Sequence, residues 1–373
     1  MERLDPQTCR ARQARLMAAV PADLLILNNP HHILYLTGLY NSELRQAAWG
    51  LNSLLLDASS GRATLLVNEM LAHELSAPAV DAIQVTPWYA AAPAGPGAEQ
   101  FDEAVTALRG RVEAIQPPRI AAELGWLPQG AVGGEAVLNL NPILKQMRRV
   151  KDADELRLIR EAVRVNEAAH RGARAAVQVG ATELEVYNAA CAAAVSAFGG
   201  PVHLLGDFTC LSRPNPGSVP TPYTLQPGDV MLCDIFPLVN GYRADFTATI
   251  AVDDRYSEAQ DRVDGAIHEA LRAGEAALRP GARGGDVYRV VRAALAQHGL
   301  AEHFPHHAGH GLGFDHPDTP YFVPLSEETL LTGEVVALEP GAYGPGFGAR
   351  IEHNYLITEG GPERLSNHST ALL

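Results

Sequence analysis

The chain has 373 residues, which suits two domains rather than one. Apolar side chains make up 47% and charged ones 19%, a balance that excludes a disordered tail, a collagen-like chain and a polytopic membrane protein. The formal net charge of -14, with no concentrated basic patch, excludes nucleic acid and anionic membrane surfaces as default partners.

The first twenty residues are polar and Arg-rich with no central apolar stretch, so the expected compartment is the cytoplasm. Cys9, Cys191, Cys210 and Cys233 form no Cys-x-x-Cys pair and read as buried small hydrophobes. Next come the short apolar runs ADLLILNN, HHILYLTG, LNSLLLDA and RATLLVNE, each bounded by turn signals and therefore expected as buried strands. Helix-like EQFDEAVTALRGRVEAI and strand-like PRIAAELG complete a small α/β domain over 1–149, with a proline and glycine loop at Ala92 to Gly97.

A different regime begins near Lys151. Asp152 with Glu155 and Thr182 with Glu185 stand in capping-box spacing ahead of two helices, the second ending at Gly199. Strand-like DVMLCDIFP and GYRADFTATIAV follow. The plan then recurs: Ser257 with Gln260 opens a third helix, Asp286 caps a fourth that ends at Gly299, and EVVALEP and ARIEHNYLIT close the chain. Residues 150–373 thus read as an internally duplicated α+β domain.

Each strand pair carries two acids. Asn240-Gly241 is a strong type I′ hairpin signal, and a two-residue turn pairs positions whose numbers sum to 481, so Asp234 faces Thr247 and Phe236 faces Asp245. Both carboxylates then share one face, about 7–8 Å apart as diagonal neighbours. Val230, Leu232 and Phe236 lie on that face, which makes it buried, and buried carboxylates need cations or donors. Glu339 and Glu352 repeat the arrangement, although the Gly-rich connection Gly341 to Gly348 leaves their face underivable. Between the pairs lies HHAGHGLGFDH, where Gly309, Gly311 and Gly313 surround His310; a phosphate loop is the alternative reading of these glycines. Four carboxylates and one imidazole on core strands point to a bound divalent pair, with Mn, Co, Zn or Fe favoured over Ca.

At these residues the sequence resembles the pita-bread metallopeptidases, the Xaa-Pro aminopeptidase and prolidase branch above all. The pieces DIFPLVNGYRAD, HHAGHGLG, LEPGAY and RIEHN occur in the family's order, and HHILYLTG and RRVKDADELRLIREA resemble its amino-domain and linker segments. The resemblance implies a duplicated pita-bread catalytic domain preceded by a smaller creatinase-like α/β domain that caps substrate and makes dimer contacts. It implies Asp234 as ligand of one ion, His310 and Glu339 as ligands of the other, and Asp245 and Glu352 as bridges. Two divalent ions, manganese first with cobalt, zinc or iron as alternatives, would hold a water as nucleophile, and Glu339 would relay its proton to the leaving nitrogen. His306, His316, Tyr343 and Arg350 match positions that contact substrate, His306, His316 and Arg350 with a catalytic part as well. Short proline-containing peptides, a homodimer and no nucleic-acid or membrane partner follow.

The chain departs from the family pattern at several points. RPNPGSVPTPYTLQPGD lacks the usual substrate-side His, His316 follows His310 by six residues rather than seven, Thr247-Ala248-Thr249 replaces a frequent Arg, and His32 stands where Asn is common. The metal set is complete, which argues against a metal-free creatinase-like hydrolysis of a non-peptide C–N bond and against a binding module that has lost its ligands.

Overall fold

The computed structural model describes residues 3–40, 51–73, 75, 77–86, 100–133, 136–253 and 255–373. These divide into two compact units, Arg3–Arg148 and Arg149–Leu373. No helix among the described residues is long and apolar enough to cross a membrane.

The first unit runs α1 (Pro6–Ala19), β1 (Leu24–Leu27), α2 (Pro30–Thr37), β2 (Ser53–Asp57), β3 (Arg62–Asn68), α3 (Glu69–Ala72), β4 (Ala82–Thr86), α4 (Gln100–Ile115), β5 (Ile120–Ala122), β6 (Val137–Asn139) and α5 (Asn141–Met147). Its sheet has the order β4-β3-β2-β1-β5-β6, antiparallel at β3-β2-β1 and parallel elsewhere. Leu24, Ile26, Leu55 and Leu66 from the sheet pack with Leu108 and Val112 of α4 as its core.

One expected strand is corrected here. HHILYLTG forms helix α2, because the Asn29 side chain caps the His31 N–H, Pro30 occupies the first turn, and Gly38 takes φ +73° at the far end. An apolar run of this length fits either element, and its flanks decide. His32 is also explained: its ring is buried against Glu123, and Arg148 Nη1 lies 2.7 Å from the other ring nitrogen. The loop at Ala92 to Gly97 lies outside the described residues.

The second unit contains α6 (Ala153–Ala176), α7 (Glu183–Phe198), β7 (His203–Cys210), β8 (Val230–Val239), β9 (Tyr242–Arg243), β10 (Phe246–Ala251), α8 (Glu258–Ala277) and α9 (Gly284–Gln297). It continues with β11 (Gly309–Gly311), β12 (Asp318–Tyr321), β13 (Val335–Leu338), β14 (Gly341–Gly344), β15 (Phe347–Arg350), β16 (His353–Thr358) and β17 (Gly361–Arg364). The reciprocal boxes Asp152/Glu155 and Thr182/Glu185 are both closed, and Gly199 ends α7 at φ +78°. Ser257 caps α8, but the Gln260 side chain turns away and exchanges two hydrogen bonds with Gly348. Helix α9 starts earlier than expected, with Arg283 as its cap. Gly284 packs so closely that a Cβ there would stand 2.3 Å from the Tyr321 carbonyl, and Asp286 pairs with Arg289 inside the first turn.

The hairpin register is as computed. Asn240 and Gly241 have φ 49° and 84°, and Leu238↔Arg243, Phe246↔Ile235 and Thr247↔Asp234 all sum to 481. Ala244 and Asp245 interrupt the ladder between β9 and β10, and Ile351 and Glu352 interrupt the chain between β15 and β16 in the same way. The sheets are β10-β8-β7, with β9 beside β8, and β12-β11-β13-β16-β17. The underivable Gly-rich connection is the hairpin β14-β15, pairing Gly341 with Arg350.

Candidate metal centre

Four carboxylates converge because two strands and two strand breaks aim them at one cavity. Asp234 projects from the middle of β8, and Glu339 follows the last residue of β13. Asp245 is fixed by Asn354, whose side-chain oxygen accepts the Asp245 N–H at 3.0 Å and whose amide donates to the Asp245 carbonyl. The Glu352 N–H donates to the Thr247 carbonyl at 3.2 Å, and the Thr247 hydroxyl donates to Glu352 Oε2 at 2.7 Å. These cross-links tie the two halves of the duplication at the acids themselves.

His310 comes from β11, which is laddered on both sides by β12 and β13. A Cβ on Gly309 would lie 2.1 Å from the Ala337 carbonyl, and one on Gly311 2.0 Å from that of Thr319. These glycines therefore serve close strand approach and not a phosphate cradle. The Gly311 carbonyl, 2.8 Å from His310 Nδ1, can only accept, so Nδ1 carries the proton and Nε2 faces Asp245 Oδ2 at 3.3 Å and Glu339 Oε1 at 3.6 Å.

The cavity, about 210 Å³ in volume, is lined by Asp234, Asp245, His310, Glu339 and Glu352 together with His316, Arg350, Phe236, Pro317, Asp207 and His307. Asp234 Oδ1, Asp245 Oδ1 and Glu352 Oε1 are buried without a hydrogen-bond partner, and Glu339 Oε1 faces His307 Nδ1 at 3.0 Å. Such oxygens are costly unless a cation takes them, and this donor set of hard oxygens plus one oriented imidazole suits divalent ions. Asp234, Asp245 and Glu352 can gather on one point, and His310, Glu339 and Glu352 on another.

Electrostatics says the same. Burial, with repulsion from Asp245, Glu339 and Asp234, pushes Glu352 well above the usual carboxylate range. Burial also raises Asp234, though Arg350 relieves part of the shift. Asp245 goes the other way, because hydrogen bonds from His310 and His316 outweigh its burial; for Glu339 the neighbouring His307 and His310 outweigh burial. Burial alone would depress His310, but Asp245 and Glu339 carry it up to about 9. The acids oppose one another's ionisation, a repulsion that a divalent pair would relieve.

The residues expected to contact substrate separate. His316 lines the cavity with Nε2 2.7 Å from Asp245 Oδ2, its ring stacked on Phe236 at 4.5 Å. Arg350 is tightly engaged: Nη2 donates to Asp234 Oδ2 at 2.6 Å and to Asp207 Oδ2 at 3.3 Å, and Nε donates to Thr247 Oγ1 at 3.2 Å. Thr247 thereby joins Arg350 to Glu352. His306 and Tyr343 do not line the cavity; they meet each other at 3.2 Å, with His306 Nδ1 4.0 Å from Glu339 Oε2. Burial lowers His306 to about 4 and raises Tyr343 to about 12.

Two lining residues went unassigned. His307, with Nδ1 3.0 Å from Glu339 Oε1, sits three residues before His310, a spacing that could have marked it. Asp207 stands opposite Asp234 in the β7/β8 ladder, and alternation through HLLGDFTC was the available signal.

Comparison with known proteins gives the fold and the family. A prolidase from Pyrococcus horikoshii OT3 superposes with TM-score 0.80 at 22% identity, over 98% of this chain and 99% of its own. Dipeptidase PepE from Mycobacterium ulcerans gives TM-score 0.79 at 26% identity, over 100% and 99%. The fold is therefore that of the pita-bread prolidase structures. A probable dipeptidase PepE of Mycobacterium tuberculosis strain H37Rv is 29% identical over 368 residues, 96% of this chain and 94% of the relative. A Xaa-Pro dipeptidase from Pyrococcus furiosus is 29% identical over 238 residues, 63% of this chain and 68% of the relative. The description metallopeptidase family M24 matches residues 157–359, more than half the chain and a span that holds all four carboxylates and His310, so the chain belongs to that family.

Proposed function

We propose that this protein is an exopeptidase that uses two divalent ions to hydrolyse Xaa-Pro bonds in short peptides, as a Xaa-Pro dipeptidase or aminopeptidase. The observation that carries the reading is the set of four buried carboxylates at one cavity beside an oriented His310, with Asp234, Asp245 and Glu352 each keeping an unpartnered oxygen. The dipeptidase and Xaa-Pro dipeptidase names of its relatives support the substrate class.

On this reading Asp234 would hold one ion, His310 and Glu339 would hold the other, and Asp245 and Glu352 would be shared between them, with manganese the first choice and cobalt, zinc or iron the alternatives. When bound, such a pair supplies an activated water and Lewis acidity toward the scissile carbonyl. Glu339 is the group that would take a proton and return it to the leaving nitrogen. His306 and Tyr343 orient Glu339, Arg350 holds Asp234 at the border of the substrate, and His316 contacts substrate from the cavity wall.

Proline suits this wall. A tertiary X-Pro amide brings no N–H to satisfy, and Phe236 and Pro317 offer apolar surface to its ring. Residues 150–373 form the catalytic domain, and 1–149 the domain that caps substrate and walls the partner's site in a cytoplasmic homodimer.

The test is metal analysis of the purified chain, followed by turnover of a Xaa-Pro dipeptide, a Xaa-Pro tripeptide, a Xaa-Ala dipeptide and creatine. Two ions per chain with cleavage of the Xaa-Pro peptides alone is the expected result. Equal cleavage of Xaa-Ala removes the proline assignment, and a chain that retains no divalent ion removes the mechanism.

A further inference from the structure

We infer that Asp207 is a binding residue for the substrate's α-ammonium group, so that this site accepts peptides with a free amino terminus and rejects blocked ones. The inference rests on the peptidase reading above and adds which end of the peptide is read at the Arg350 corner. Asp207 faces Asp234 across the β7/β8 ladder, and Gly206 beside it lets the strands close: a Cβ there would stand 2.2 Å from the Asp234 carbonyl.

Asp207 differs from the other acids of the cavity in exposure. Its side chain is 33% exposed, against 12% for Asp234, 7% for Glu339 and 2% for Asp245. It keeps no unpartnered buried oxygen of the kind that points to a cation, and its side-chain hydrogen bonding among the described residues is limited to Arg350. That contact is long, 3.3 Å, because the same Nη2 is held by Asp234 at 2.6 Å.

Two carboxylates therefore face one guanidinium at this corner, and the guanidinium is further turned to Thr247. A primary ammonium brings three donors and positive charge, and Asp207 can accept from it through a charge-assisted hydrogen bond at the wall of the cavity. A site built around such a bond discriminates strongly against an analogue that lacks the donor, since its own polar group is then left unpaired. Arg350 steadies the two acids.

The experiment uses the full chain loaded with manganese and two ligands that differ in one group, Ala-Pro and propionyl-proline. Calorimetry gives the affinity of each for the wild type, Asp207→Asn and Asp207→Glu under conditions of slow turnover, with kinetic KM and bound metal measured alongside. The wild type is expected to prefer Ala-Pro at least tenfold. Asp207→Asn is expected to lose that preference by weakening Ala-Pro alone, with metal content unchanged, and Asp207→Glu to restore part of it. A preference that survives in Asp207→Asn overturns the inference, as does parallel loss of both ligands together with metal, which would make Asp207 a positioning residue for Asp234. If the wild type cleaves no peptide, the peptidase reading falls, and the calorimetric ratio still decides on Asp207.

Discussion

Asp245 and Glu352 occupy equivalent two-residue breaks, one after β9 and one after β15, yet their surroundings are opposite. Asp245 lies beside two imidazoles, His310 and His316, and stays ionised. Glu352 has the Thr247 hydroxyl on one oxygen and three other carboxylates around it, and is pushed up. The first half of the duplication thus receives the histidines that the second half supplies from β11 and the segment after it. A repeated backbone plan does not give repeated electrostatics.

The largest expected effect tests what the two breaks share. Asp245→Ala and Glu352→Ala should each lower turnover by more than about a hundredfold, beyond the usual range for an outer-shell contact, with bound metal falling in parallel. Metal analysis and steady-state kinetics on the same samples check it; full turnover by either variant would remove the bridging assignment.

The next measurement separates the breaks. In the metal-free protein, Asp245→Asn removes the partner of the buried His310 imidazole and of the more exposed His316, and should cost about 3–5 kcal/mol, as for a broken buried pair. Glu352→Gln removes a carboxyl already raised by its neighbours, so stability should hold or rise. Urea unfolding in the presence of chelator gives both numbers. Equal destabilisation would mean that the two acids share one environment.

How much of this was legible follows from what each feature depends on. The β8-β10 register came from a two-residue turn of one type, so arithmetic reached Asp234 and Thr247 before any coordinates. Glu352 could not be placed on a face because its connection holds a hairpin of its own, β14-β15, whose pairing no short-range rule specifies. Asp207 was missed because β7 carries a glycine and precedes a proline-rich loop, which masks its alternation. His310 and the four acids were found through pattern and resemblance, while the commitment of Arg350 to Asp207 and Asp234 is a matter of tertiary geometry. Asp286 was misread as a cap because the need for Gly284 to approach the Tyr321 carbonyl is invisible in sequence.

Histidines within the same unit extend the contrast. His368 stacks on Phe246 and accompanies His170 and His353, with no carboxylate among its contacts to the described residues, and burial lowers it to about 4, whereas His310 is carried up to about 9. A folded value below the ordinary 6.5 means the neutral form is favoured on folding. The contribution is complete above pH 6.5 and is lost as pH falls from 6.5 toward about 4, to a total of roughly 3 kcal/mol at 1.36 kcal/mol per unit. His368→Gln should flatten that acid limb in a pH series of unfolding free energies; an unchanged slope would show that other groups set it.

The smallest effect compares the helix caps of the two halves. Thr182 and Glu185 form a closed box, with Thr182 Oγ1 accepting the Glu185 N–H at 3.2 Å and Glu185 Oε2 accepting the Thr182 N–H at 2.7 Å. Ser257 accepts the Gln260 N–H at 3.1 Å, but the Gln260 side chain is spent on Gly348, two residues before Arg350. Thr182→Ala and Ser257→Ala should each cost about 1 kcal/mol. Gln260→Ala should cost about 2 kcal/mol, because it leaves the buried Gly348 N–H and carbonyl without their side-chain partner. The distinguishing quantity is the coupling in a double-mutant cycle. Thr182 and Glu185 act through one reciprocal pair, so their coupling should be about 0.5 kcal/mol or more, whereas the side chains of Ser257 and Gln260 serve different partners and should add. Additivity in both pairs would mean the first box contributes only as a cap, and coupling in both would mean that Gln260 closes its box when the β14-β15 hairpin loosens.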